Sequence, residues 1–192
     1  MSVADYTYPP ELAFMLNNWG AAFAVELKVM RSEGSDQLIE VSMGMKDFSS
    51  EWTHCDRMSS FIARLVCQSR ADSLLYANLF SSALNELLET VFSNHGAEGD
   101  LTCRVRRSSE ADTIELSIPC DTKTLQFYTD VVNSLDRQDI EQLYHAALFS
   151  SGQRDARLGI FELAVDYKAK ISVLSGAGRM TLSAEIVLGG AS

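Results

Sequence analysis

Apolar and polar residues change their period several times along the chain, and each change marks an element. Phe23–Met30, FAVELKVM, and Gln37–Met43, QLIEVSM, alternate every second residue as strands do, and the intervening RSEGSD carries Gly34 and Asp36, which suit a hairpin turn. A two-stranded ribbon is marginal in water on its own, so this N-terminal β-hairpin must lie on another surface or pair with a partner chain. From Asp56 to Gln68 the period becomes helical, with Met58, Phe61, Ile62, Leu65 and Val66 recurring and Asp56 placed as N-cap. A longer helix is expected from about Ser73 to Asn94. Leu75, Leu79, Leu84, Leu87, Leu88 and Val91 form its predicted buried stripe, and Gly96 its left-handed cap.

Period two then returns. DLTCRVRR and TIELSIP flank SSEAD as a second hairpin, followed by helices over Thr122–Leu135 and Asp139–Phe149 and the polar loop SSGQRDA. A further helix, RLGIFELAVDYKAK, runs into the last two strands, KISVLS and MTLSAEIVL, across GAGR, where Gly176 and Gly178 allow a tight turn. Phe161, Leu163, Ala164, Tyr167 and Ile171 form a broad apolar face there. Short turns join most strand pairs, which predicts an α+β fold: a two-layer α/β sandwich whose mixed, mostly antiparallel sheet carries helices on one face. The 192 residues suffice for one sizeable core, and neither a linker nor a repeat divides them. The reading is a single domain over 1–192, with an N-terminal hairpin extension in 1–50 and a core in 56–190.

Charge narrows the function. A formal net charge of −10 argues against nucleic-acid and anionic-membrane partners, which reward lysine and arginine clusters, and leaves a protein partner or a small ligand. The segment Met1–Pro10 has neither a basic nor an apolar region, and no stretch reaches the roughly 20 apolar residues of a membrane helix, so a cytoplasmic protein is expected. Cys55, Cys67, Cys103 and Cys120 form no CxxC pair, and His54, His95 and His145 are equally dispersed, which predicts reduced thiols and no metal cluster.

The order long helix, hairpin, helix, glycine-bearing loop, helix, hairpin resembles that of the ATP-binding GHKL domains of histidine kinases and anti-sigma-factor kinases. LNELLETVFSNH is similar to their N-box helix, usually NELLENAVKH. ARLGIFELAVDYKAKISV is similar to the SGLGLLTMINDYxAKLGW pattern of stand-alone bacterial GHKL-like regulators that include the SiaB-type protein kinases. The resemblance covers roughly Ser73 to Leu188. It implies a GHKL ATPase-like sandwich, ATP and Mg²⁺ as cofactors, and a protein partner such as an anti-sigma-factor antagonist or a phosphatase.

Three elements of nucleotide chemistry can be sought. In the N-box an acidic residue activates the attacking group and an asparagine one turn later ligates Mg²⁺. Glu86 matches the acidic position as possible base, whereas Thr90 stands where the metal-ligating asparagine would be, and Asn85 with Glu89 repeats the four-residue spacing a third of a turn away. The adenine-specifying loop reads CDTKTLQF: Asp121 is present, but no glycine follows before Gly152. The phosphate loop keeps Gly152 and Gly159 and adds Arg154 and Arg157 as partners for phosphate oxygens. The resulting expectation is a bacterial signalling regulator that works through protein–protein interaction with its nucleotide chemistry weakened or lost. The alternative is an active ATP-dependent serine protein kinase with Glu86 as base. A homodimer through the N-terminal hairpin, with Trp19 and Phe23 nearby, is expected in either case.

Overall fold

A computed structural model describes residues 25–31, 37–67, 73–96, 98–108, 111–149 and 155–187. Strands β1 (Val25–Arg31) and β2 (Gln37–Gly44) lead through a short helix α1 (Met45–Phe48) to α2 (Thr53–Cys67) and α3 (Ser73–Asn94). Strands β3 (Asp100–Arg107) and β4 (Asp112–Pro119) follow, then α4 (Thr122–Ser134), α5 (Ile140–Leu148) and α6 (Leu158–Val165), and finally β5 (Lys170–Gly176) and β6 (Arg179–Ile186). The six strands form one sheet in the order β1-β2-β3-β4-β6-β5. Each pairing among them is antiparallel, so the expected mixed sheet has no parallel pair among the described strands.

Period-two alternation explains the layering. One cross-sheet row reads Leu27, Val41, Cys103, Leu116, Leu182 and Val173, and it faces the core. The next row reads Lys28, Glu40, Arg104, Glu115, Ser183 and Ser172 on the opposite face. There Arg104 pairs with Glu40 at 2.7 Å and with Glu115 at 3.5 Å. Ser42, Thr102, Ser117 and Thr181 add a row of small hydroxyls, the first two 3.1 Å apart. Helices α2 and α3 cover the apolar face with Phe61, Ile62, Leu65, Phe80, Leu84 and Leu87, all essentially inaccessible. Hydrophobic burial at roughly 25 cal/mol per Å² is the main force holding the two layers together.

Several expectations need correction. The N-terminal hairpin is no appendage: β2 pairs along its full length with β3 and buries Ile39, Val41 and Met43. Its residues Phe23 and Ala24, its turn, and Trp19 lie outside the described residues. Helix α2 starts at Thr53, so Asp56 sits inside its first turn rather than capping it. On α3, Leu75 and Leu79 are exposed while Tyr76 and Phe80 are buried, because the stripe through 75, 79, 82 and 86 faces away from α2 and the sheet. Gly99, with φ +80°, takes the left-handed conformation expected at Gly96. Helix α6 stops at Val165, since Lys168 adopts φ 52°, which no helix tolerates, and the Ala169 N–H returns to the Leu163 carbonyl at 3.0 Å. In the last hairpin Ala177 and Gly178 are the two left-handed residues of the turn, a type I′ pattern that leaves Gly176 in the strand. No helix among the described residues is long and apolar enough to cross a membrane.

Candidate functional site

Helices α3 and α6 meet at Gly159. A Cβ on this residue would collide with Thr90 Oγ1 and lie 2.9 Å from the Glu86 carbonyl oxygen and 3.3 Å from Glu86 Oε2, so the approach requires the absence of a side chain. Three residues singled out from the sequence, Glu86, Thr90 and Gly159, are therefore in contact. Beside this contact opens a cavity of about 470 Å³ lined by Glu89, Thr90, Ser93, Asn94, Asp155, Ala156 and Gly159.

The polar groups around the cavity are mostly engaged by the protein itself. Thr90 Oγ1 donates to the Glu86 carbonyl at 2.8 Å, the bond a helical threonine makes to the preceding turn. Asn94 Nδ2 donates to the carbonyls of Thr90 at 2.7 Å and Ala156 at 3.4 Å, tying the end of α3 to the segment before α6. Behind them the Tyr128 hydroxyl lies 3.1 Å from His95 Nε2, with the two rings stacked. Burial drives the His95 ring down to about 4, against a smaller upward pull from Asp121, and burial likewise raises the Tyr128 phenol.

Of the two carboxylates lining the cavity, Glu89 is only 5% exposed, and Asn85 Nδ2 donates to it. The neighbouring Cys55 thiol is pushed up to about 12, first by burial and then by the Glu89 charge. Glu86, expected to be the base, is not among the lining residues. Its side chain lies on the side covered by α6, near Tyr144 and Tyr167, whose phenols are raised first by burial and to a smaller degree by neighbouring carboxylates that include Glu86. Tyr144 donates to Asp166 Oδ2 at 2.8 Å, and burial followed by that bond places its phenol at about 12.

Asp121 accepts the Thr124 N–H at 2.7 Å as N-cap of α4. That bond holds its carboxyl below the usual range, and Asp121 is not part of the cavity wall. Arg157 pairs with Asp155 at 2.7 Å and lies 5.4 Å above the Phe161 ring. Gly152 and Arg154 lie outside the described residues. Among the described residues no group of three or more His, Cys, Asp or Glu side chains is placed to hold a metal ion.

Asp155 is the residue that sequence reasoning missed. Its Oδ1 accepts the backbone N–H of Arg157 at 2.9 Å and the Arg157 Nε–H at 3.0 Å, so a carboxylate sits beside the N-cap of α6, near where a phosphate would approach. The Arg157 guanidinium, its side-chain hydrogen bond first, holds the Asp155 carboxyl below its ordinary range. The signal was legible: an aspartate two residues before a backbone N–H at a helix start is an Asx turn. Ser93, Asn94 and Ala156 were missed for want of any motif.

No protein-family model, curated protein or solved structure matches the chain. Fold and site therefore rest on the residues themselves.

Proposed function

We propose that this chain is a GHKL-like domain that keeps the scaffold of a nucleotide-binding fold and serves as a protein-interaction regulator in bacterial signalling, with its ATP and Mg²⁺ chemistry weakened or lost. The observation that carries this reading is the Asp155 carboxylate, which accepts the backbone N–H of Arg157, the residue that caps the start of α6. A carboxylate already bonded at the helix start competes with a phosphate for its N-terminal donors. Arg157, the cation expected to receive phosphate oxygens, is committed to the same carboxylate. Asp121 spends one carboxylate oxygen on the Thr124 N–H as the cap of α4.

The partner in this reading is a protein resembling an anti-sigma-factor antagonist or a phosphatase, and the assembly is a homodimer. The alternative, an active serine protein kinase, draws on one observation: the cavity is open and holds a carboxylate, Glu89. Isothermal titration with ATP and Mg²⁺ separates the two. Binding weaker than about 1 mM, equivalent to roughly −4 kcal/mol, is expected. Tighter binding, or transfer of phosphate to a serine of a co-purified partner, would establish the kinase.

A further inference from the structure

Strand β1 ends the sheet on one side, and among the described residues no strand lies beyond it. Its outer N–H and C=O groups form an open edge of the kind another strand can pair with. Two rows of side chains also stop there unfinished. On the helix side, Ile39, Val41 and Met43 of β2 are buried, while Val25, Leu27 and Val29 of β1 pack against the same core but are only half-buried. On the open side, the row Glu115, Arg104, Glu40 and Lys28 alternates in sign from strand to strand. Arg104 pairs with Glu115 and Glu40, and Lys28 lies 3.4 Å from Glu40 and 3.1 Å from Glu26. A strand that continued both rows would set an apolar residue beside Leu27 and an acid beside Lys28.

The sequence of β1 itself meets both demands. Opposed residues of an antiparallel pair point to the same face, so a second β1 must meet the first with odd positions against odd and even against even. A twofold axis at Leu27 sets Leu27 against its copy, Val25 against the partner's Val29, and Lys28 against the partner's Glu26. The alternation of sign then runs on across the axis, and so does the apolar row. Placing the axis at Glu26 or at Lys28 instead sets like charge against like. The opposite edge, β5, has no matching register: Lys170–Gly176 contains no acid, and Lys170 is paired at 3.2 Å with Glu185 of β6.

We propose that β1 is the contact surface for a second copy of this chain, joined antiparallel about a twofold axis at Leu27 into one continuous sheet. The proposal rests on the homodimer in the reading above and specifies where its two copies meet. The contact is isologous and closes on itself. The paired stretch, Val25–Val29, is short, so association is concentration-dependent rather than permanent.

Sedimentation velocity over a dilution series of the full chain should show a monomer–dimer equilibrium. Glu26→Lys or Lys28→Glu alone should raise the dissociation constant about tenfold, since each opposes like charges at two symmetry-related places. The double variant exchanges the signs and should recover most of that loss. Both side chains are exposed, so the fold is kept, which circular dichroism checks. Leu27→Cys should cross-link into a dimer on oxidation, whereas Lys28→Cys, two positions out of step with its copy, should not; wild type with its four cysteines is the control. A dimer indifferent to the charge variants, or one trapped by Lys28→Cys and not by Leu27→Cys, overturns the proposal and leaves a homodimer through another surface. Filaments, which a β1-to-β5 contact would build, overturn it as well. A monomer up to about 1 mM overturns both the proposal and the homodimer, and assigns the edge to another occupant such as residues 1–24. The ATP–Mg²⁺ titration decides the loss of nucleotide chemistry separately from any of these results.

Discussion

Replacing Gly159 by alanine tests how α6 is seated on α3. The new methyl would collide with Thr90 Oγ1, which a rotamer change could relieve, and would press to 2.9 Å on the Glu86 carbonyl, which belongs to the backbone of α3 and cannot turn away. Overpacking of this kind costs about 1–3 kcal/mol. Alanine returns at most about 1 kcal/mol of helix propensity, and less in the first turn, where Gly159 sits. A net loss of about 1–2 kcal/mol is expected, which lowers the unfolding temperature by about 2–8 °C for a chain of this size. Urea titration followed by circular dichroism measures it, with an unchanged slope indicating that the unfolded state is the same. Combining the change with Thr90→Ala removes the hydroxyl but not the carbonyl. The pair should therefore couple by about 0.5–1 kcal/mol and recover only part of the loss. A Gly159→Ala protein as stable as wild type would refute the contact and with it the position of the cavity wall.

Four further outcomes are expected. Tyr128→Ala, at a fully buried ring, should cost about 3–5 kcal/mol, whereas Tyr167→Ala, at a half-buried ring, should cost about 1–2 kcal/mol; the reverse order in denaturant titration would contradict the packing. The His95 ring is held neutral by burial down to about 4 while the unfolded chain binds a proton near 6.5, so its contribution is complete above 6.5 and is lost as pH falls towards 4. Wild type minus His95→Gln should thus narrow by about 2 kcal/mol over that window, and parallel pH profiles would dismiss the effect. Asp121→Ala should lower the melting temperature at neutral pH, with the difference disappearing as the pH drops through the depressed Asp121 value; an equal difference at all pH values would exclude capping by its carboxylate. A chain starting near residue 50 should not unfold cooperatively, because it lacks Ile39, Val41, Met43 and Phe48 from the core; a sharp calorimetric transition in that fragment would make the hairpin dispensable.

The strands were legible because each alternates cleanly against one apolar layer, as β4 does from Asp112 to Pro119. The helices were legible as elements but not in phase. On α3, Leu74, Leu75, Tyr76, Leu79 and Phe80 are all apolar, so periodicity alone could not decide that the aromatic pair turns inward and the leucines outward. The role of the hairpin was misjudged for a related reason: its alternation shows that a face is buried, but not that β3, 60 positions away for Ser42 and Thr102, is the strand beside it. At the site, spacing brought Thr90 and Gly159 to attention, and both line the cavity. It could not show that α6 would cover Glu86 and leave Glu89 to the open side. That depends on which flank of α3 the later helix occupies, a tertiary fact with no local trace.

The sheet is assembled from three pairs of strands that are neighbours in sequence, β1 with β2, β3 with β4 and β5 with β6. Two seams join them, and both are distant in sequence: Ser42 beside Thr102, 60 positions apart, and Ser117 beside Arg179, 62 positions apart. The entropy of closing two such large loops must be met before either seam contributes contacts, whereas each hairpin closes locally within microseconds. Folding speed in this protein is accordingly governed at the seams. Weakening the β2–β3 or β4–β6 rows should therefore chiefly slow refolding.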